Sequence, residues 1–95
     1  MPLVSDANVI ADYLQSQGAD GDCSIERGAG SGDQVYRVWI YGQSEVSIYF
    51  TQKAENWSVF RASYYCDYLA GYLRNLVNTC QTDGRAQGKL CFFLC

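Results

Sequence analysis

Residues 66–95, CDYLAGYLRNLVNTCQTDGRAQGKLCFFLC, contain four of the five cysteines of this 95-residue chain. The stretch opens with apolar residues at helical spacing, passes through a polar loop at 81–88 and ends in the nearly all-apolar run 89–95. The first part predicts the end of a long helix that starts near Val59, and the last part predicts a buried strand. We therefore expect a small domain whose disulfides join its final helix to its final strand.

Two helices are predicted, each with one apolar face. The first spans residues 6–17, with Ser5 as its N-cap and Gly18 at its end. The second runs from about Val59 to Thr79, flanked on its apolar side by Tyr65 and Tyr72. The inward residues of the first helix are expected to be Val9, Ile10, Tyr13, Leu14 and Gln17. Those of the second are expected to be Ala62, Cys66, Leu69, Leu73, Leu76, Val77 and Cys80.

Segments 34–41 and 45–52 alternate β-branched and aromatic residues with polar ones, which predicts a hairpin. Two registers are open. A two-residue loop, Gly42-Gln43, sets Arg37 opposite Ile48, whereas a three-residue loop that includes Ser44 shifts the pairing by one residue. We favour the three-residue loop because it gives one face that is wholly apolar. That face carries Tyr36, Val38, Ile40, Val46, Ile48 and Phe50.

The element order predicts the α+β class. A short strand is expected at Cys23–Arg27, a flexible connector at 28–32, and an extra edge strand at Leu3-Val4. Two amphipathic helices must cover the apolar face of the strands. The expected architecture is a two-layer α/β sandwich, with two helices packed on one antiparallel or mixed sheet of three to five strands. The length suits a single disulfide-stabilised domain over residues 1–95.

Disulfide pairing can be argued from spacing. Cys66 and Cys80 lie about 21 Å apart along a helix, and Cys91 and Cys95 lie about 13 Å apart along a strand. Neither pair can bridge internally, because bridged Cα atoms lie within about 7 Å. An antiparallel return of the strand brings Cys80 to Cys91, and Cys66 then bonds either Cys95 or Cys23. The remaining cysteine is a free buried thiol, or an intermolecular link if it is Cys95.

Composition argues against several function classes. A net charge of −3 with only seven Lys and Arg side chains disfavours nucleic-acid binding, and no run approaches the length of a membrane span. The absence of histidine removes the commonest catalytic base and a common metal ligand. A structural zinc site usually needs two pairs of closely spaced ligands, and only Cys91-x3-Cys95 approaches such a pair. We therefore expect no metal and no cofactor. Nothing in the sequence argues for an enzyme.

The cysteine content also bears on the compartment. One interpretation is a mature secreted chain with an added start Met, because no charged, then apolar leader is visible; the other is a cytosolic protein with reduced thiols. The density of cysteines favours a secreted, extracellular protein. Asn56-Trp57-Ser58 fits the N-glycosylation pattern, although Asn56 or Ser58 would equally suit a helix N-cap.

The second face of the hairpin is the candidate binding surface. It combines three aromatic residues and a cation: Arg37, Trp39, Tyr41 and Tyr49. Trp, Tyr and Arg are enriched at binding hot spots. The alternatives are that a loop or the partner of a homodimer covers this face, or that it is an ordinary strand face.

The final third of the chain resembles a group of small secreted fungal proteins. Cys66, Tyr68-Leu69, Leu76–Cys80, the glycine-bearing turn and Cys91 are spaced as in killer-toxin-like proteins and candidate plant-pathogen effectors. The resemblance implies a compact α/β sandwich and a non-enzymatic protein that binds a host or competitor molecule, a protein or another cell-surface target. A small secreted hydrolase, and an intracellular protein-interaction module with reduced thiols, are the alternatives.

Overall fold

The computed structural model describes residues 1–18, 21–27, 36–49, 60–62, 64–88 and 94–95. Its elements are α1 (Val4–Ser16), β1 (Ile25–Arg27), β2 (Tyr36–Tyr41), β3 (Ser44–Tyr49), β4 (Phe60–Ala62), α2 (Cys66–Cys80), β5 (Gln81–Thr82) and β6 (Arg85–Ala86). The protein is therefore mixed α+β, as predicted. Within the described ranges no helix has the length and apolarity that a bilayer crossing requires.

The described strands pair as three antiparallel two-stranded sheets, β1–β4, β2–β3 and β5–β6. The prediction of one sheet with three to five strands is therefore wrong for this part of the chain. The hairpin β2–β3 packs on α1, whereas β5–β6 is a short and largely exposed hairpin after α2, so these pairs do not join edge to edge. The predicted connector at 28–32 and residues 89–93 of the predicted last strand lie outside the described residues.

Helix α1 begins earlier than predicted. Its first residue is Val4, so Ser5 lies in the first turn and is not the N-cap. Leu3 precedes the helix in an extended conformation and offers no capping side chain. The Val4 N–H donates instead to the Gly84 carbonyl at 2.9 Å. A carbonyl from a distant turn thus satisfies one of the N-terminal N–H groups that have no partner within the helix, which favours a helix start before Ser5.

The buried face of α1 lies slightly to one side of the predicted stripe. Ile10 and Leu14 are buried as predicted, whereas Val9 and Tyr13 are 40% and 52% exposed. Two small residues, Ala7 and Ala11, complete the buried face in their place. Small side chains allow a neighbouring element to approach closely, so the contact face is centred on the alanines rather than on the larger residues.

Helix α2 begins at Cys66 rather than near Val59, because the residues before it are extended. Residues 60–62 form β4, which pairs antiparallel with β1. The Cys23 N–H donates to the Tyr64 carbonyl at 3.0 Å, and the Cys66 N–H donates to the Gly21 carbonyl at 3.1 Å. These backbone bonds compete with helix formation. From Cys66 onward most of the predicted apolar face is confirmed, because Cys66, Leu69, Leu73, Val77 and Cys80 are buried. Leu76 is only half-buried, and Ala70, which was not predicted, is buried as well.

The β2–β3 hairpin turns through two residues, Gly42 and Gln43, and sets Trp39 opposite Val46. The predicted three-residue loop is therefore wrong. Gly42 has φ +58°, as the first central position of a type II′ turn requires. The wholly apolar face that motivated the prediction does not form. Val46 and Ile48 lie with Trp39 on the inner face, where they pack against the core cluster, whereas Ile40 lies on the outer face and is 70% exposed.

A second hairpin lies in the segment that was expected to be an unstructured polar loop, so that expectation is wrong. Strands β5 and β6 pair across Asp83 and Gly84, whose φ values are +53° and +76°. Two successive positive φ values define a type I′ turn, for which Asp-Gly is a preferred sequence. Leu3 forms an isolated antiparallel bridge with Arg85, and the predicted edge strand at Leu3-Val4 is limited to that one residue.

Candidate functional site

Two disulfides fix both ends of α2. Cys66, the first residue of α2, is bonded to Cys23, and Cys80, the last residue of α2, is bonded to Cys95. The Cα–Cα distances are 5.1 Å and 5.3 Å. The first closes a sequence separation of 43 residues and the second a separation of 15. Loop-closure entropy predicts stabilisation of about 4 and about 3 kcal/mol, respectively.

The pairing corrects part of the sequence prediction. The Cys23–Cys66 bond is one of the two alternatives foreseen for Cys66, whereas Cys80 bonds Cys95 and not Cys91. Because Cys95 is bonded within the chain, it is not the remaining cysteine, and the alternative of an intermolecular link through Cys95 does not apply. The prediction treated residues 81–88 as a plain loop that returns the last strand to Cys80, whereas the β5–β6 hairpin occupies most of that segment. Cys91 lies outside the described residues.

The four residues of the predicted binding surface do not share one face. Arg37, Trp39 and Tyr41 lie on the inner face of the hairpin, and Tyr49 lies on the outer face. The cause is the register, because a shift of one residue moves every side chain of a strand to the opposite face. Tyr41 and Tyr49 are exposed, whereas Trp39 packs against the core cluster.

Arg37 is held by contacts within the protein. Its Nη1 donates to the carbonyls of Asp22 and Ser24 at 3.1 Å and 3.2 Å. Its guanidinium carbon lies 5.2 Å from the centre of the Trp39 ring, within the range of a cation–π contact. Arg37 therefore joins the hairpin to the segment that carries Cys23, and its interactions support the fold rather than leave a cation open to a partner.

A different aromatic surface lies on α2, and the sequence analysis had noted only two of its residues. We call it the tyrosine strip: exposed residues at alternating spacings of three and four, namely Tyr65, Tyr68, Tyr72, Asn75 and Thr79. This spacing places the four members that lie within α2 on one side of the helix over about 17 Å, and Tyr65 directly precedes the first helical residue. The rings of Tyr65 and Tyr68 meet edge to face at 5.7 Å. Their spacing in the sequence was the signal that could have revealed the strip.

The tyrosine strip carries no charged side chain. The Arg74 side chain of α2 points toward α1. Its Nη2 donates hydrogen bonds to Asp12 Oδ1 at 2.6 Å and to Gln15 Oε1 at 2.9 Å. The pair is exposed, so it links the two helices with little effect on stability. The strip is therefore an aromatic and hydroxyl-bearing surface within an acidic protein.

An open groove of about 690 Å³ lies between the inner face of the hairpin and α2. Trp39, Val46 and Ile48 line it from the hairpin, and Leu69, Leu73 and Val77 line it from α2. Its walls are mostly apolar because these residues belong to, or pack on, the core cluster. The groove cannot be predicted from the sequence pattern alone, because it depends on the register of the hairpin.

Two further predictions can be placed against the structure. Four of the five cysteine sulfurs are bonded in disulfides, which removes the thiolates that the zinc alternative required. Among the described residues, no three Cys, Asp or Glu side chains come together as a metal-binding group. Asn56, the predicted glycosylation position, lies outside the described residues.

Comparison of the chain with protein families, with curated proteins and with solved structures found no significant match.

Proposed function

We propose that this chain is a secreted, non-enzymatic effector or toxin-like protein that binds a cell-surface protein of a host or competitor through the tyrosine strip. The observation that carries the proposal is the run of three exposed tyrosines, Tyr65, Tyr68 and Tyr72, on one side of α2. The strip replaces the hairpin surface predicted from the sequence. The resemblance of the last third of the chain to small secreted fungal proteins remains part of the proposal.

Tyrosine is well suited to such a role. Each ring brings a large contact area with only two rotatable side-chain angles, so little conformational entropy is lost on binding. Tyr68, at 62% exposure, is the most exposed of the three rings. Tyrosine is also among the residues enriched at hot spots of protein interfaces. A protein partner therefore explains why aromatic side chains remain in solvent here.

The two disulfides support a secreted location. Bonds of this kind persist in oxidising compartments and are rare in the cytosol. They also hold α2 at Cys66 and at Cys80, so the strip is presented on a helix that is fixed at both ends. A rigid surface loses less entropy on binding than a mobile one.

The test is binding of the oxidised, fluorescently labelled protein to plant cells and to yeast cells, measured by flow cytometry. We expect saturable binding to one cell type and a loss of at least about tenfold in affinity for Tyr68→Ala, as for a hot-spot residue. Tyr13→Ala, which removes a similarly exposed tyrosine from α1, is the matched control and should leave binding unchanged. Absence of saturable binding, or an equal loss in both variants, would overturn the proposal.

A further inference from the structure

We infer that the groove beneath the hairpin is a binding site for an uncharged single-chain lipid, such as a monoacylglycerol or a long-chain alcohol. The volume of about 690 Å³ falls within the roughly 300–1,000 Å³ of small-molecule sites. Its lining combines an apolar floor with a few polar groups at the edge, which is the usual composition of such sites. Nothing in the proposed function requires this site.

The shape of the groove favours a chain-like ligand. On α2 the lining runs from Leu69 to Val77, a length of about 12 Å along the helix axis. Trp39 and Ile48 line the groove from the hairpin side. An elongated apolar trough buries an alkyl chain along most of its length, and each buried methylene contributes about 0.8 kcal/mol in transfer free energy.

The charge of the lining favours a neutral head group. Among the described lining residues Glu45 is the one ionisable acid, and no Lys or Arg is present. An anionic carboxylate placed there would lose hydration without gaining a cation, which is unfavourable. Two partly exposed tyrosines, Tyr64 and Tyr72, contribute to the lining, and their hydroxyls can exchange hydrogen bonds with an alcohol or ester.

Two ligands of equal chain length test the chemistry: monolauroylglycerol, which is neutral, and laurate, which is anionic. Each is titrated below its micelle concentration into the oxidised Trp57→Phe protein, so that fluorescence reports on Trp39 alone. We expect saturable binding of one monolauroylglycerol per chain, with a shift of the Trp39 emission, and at least tenfold weaker binding of laurate. Laurate binding of equal or greater strength would overturn the neutral assignment. Failure of both ligands to bind would show that the chain's own side chains fill the groove, which overturns the inference.

Matched variants test the location. Ile48→Glu places a carboxylate in the groove wall, and Ile40→Glu makes the same change on the outer face of the same hairpin. We expect the first to weaken monolauroylglycerol binding at least tenfold and the second to leave it unchanged. If Ile48→Glu does not fold, Leu76→Phe provides the test, because it adds bulk to the groove without adding charge or a second tryptophan. Equal effects of the inner and outer variants would contradict the site. Ile48→Glu leaves the tyrosine strip intact, so cell binding should persist and the two proposals can fail separately.

Discussion

The Asp6 carboxylate accepts a hydrogen bond from the backbone N–H of Gln43 at 3.1 Å, which joins the turn of the β2–β3 hairpin to the first turn of α1. The adjacent Ser44 hydroxyl donates to the Leu3 carbonyl at 3.0 Å. Gly42 lies so close to Asp6 that a Cβ at position 42 would overlap its carboxylate. The register of the hairpin and its position over the helices are therefore fixed at the same place.

This contact predicts a large effect of Gly42→Ala. The new methyl group meets the Asp6 carboxylate, and the alanine must keep the positive φ of Gly42, which is unfavourable for a residue with a Cβ. We therefore expect a loss of about 2–3 kcal/mol in the free energy of unfolding. Gly84→Ala is the matched control, because it has a similar positive φ but no atom within 4 Å of the new Cβ. It should cost about 1 kcal/mol. In an Asp6→Ala background the two alanine variants should become equivalent in urea denaturation; a persistent difference would argue against the contact.

The hairpin register predicts that two isoleucines respond differently to the same substitution. Ile48 packs on the core cluster, whereas Ile40 lies on the outer face. Ile48→Ala should lower the free energy of unfolding by about 1–2 kcal/mol, less than for a fully buried site. Ile40→Ala should change it by no more than about 0.5 kcal/mol. Chemical denaturation of the oxidised protein measures both effects. A larger effect at Ile40 than at Ile48 would contradict the two-residue turn and favour the register with the three-residue loop.

The disulfides predict a ranking of two double variants. Cys23→Ala with Cys66→Ala opens the larger loop and should destabilise the protein by about 4 kcal/mol, and Cys80→Ala with Cys95→Ala by about 3 kcal/mol. The burial of Cys23 and Cys66 strengthens the first effect, because their replacement also leaves small cavities. Thermal midpoints without reductant give the ranking, and a reductant should remove most of the difference. Equal midpoints for both variants and the unsubstituted chain would show that the bonds do not stabilise the fold.

The neutral tyrosine strip predicts that cell binding depends little on salt. Between about 0.1 M and about 1 M salt the Debye length falls from about 10 Å to about 3 Å, which weakens exposed charge pairs but not aromatic contacts. The affinity should therefore stay within about threefold, or rise slightly through stronger apolar association. Arg74→Ala, which removes a cation already bonded to Asp12, should behave like the unsubstituted protein. A steep loss of affinity with salt would mean that charged side chains outside the strip carry the contact.

The fold could be predicted from the sequence where local periodicity decides it. Leu69, Leu73 and Val77 of α2 are spaced four residues apart, and this helical spacing predicts the buried face of α2. The hairpin register could not be obtained this way, because both faces of β2–β3 offer apolar residues. The decision depends on Gly42 in the turn and on its contact with Asp6, 36 positions earlier in the sequence. Helix α2 loses its predicted first turns because long-range backbone bonds at Cys23 and Gly21 hold the preceding residues extended.

The candidate site was less predictable for related reasons. The hairpin surface depended on a register that was wrong, so Tyr49 was assigned to the same face as Trp39. The β5–β6 hairpin was readable from Asp83-Gly84 and would have warned against pairing Cys80 with Cys91. Two members of the tyrosine strip, Tyr65 and Tyr72, were noted from the sequence, but the exposure of the strip depends on which side of α2 meets α1.

The central claim is that two specific disulfides hold α2 at its ends. Chymotryptic peptide mapping by mass spectrometry under non-reducing conditions tests it directly, because cleavage after Phe92 or Phe93 separates Cys91 from Cys95. We predict cross-linked peptides that join Cys23 to Cys66 and Cys80 to Cys95, with four of the five cysteines protected from alkylation. A Cys80–Cys91 peptide, or five alkylated cysteines in the native protein, would contradict the account.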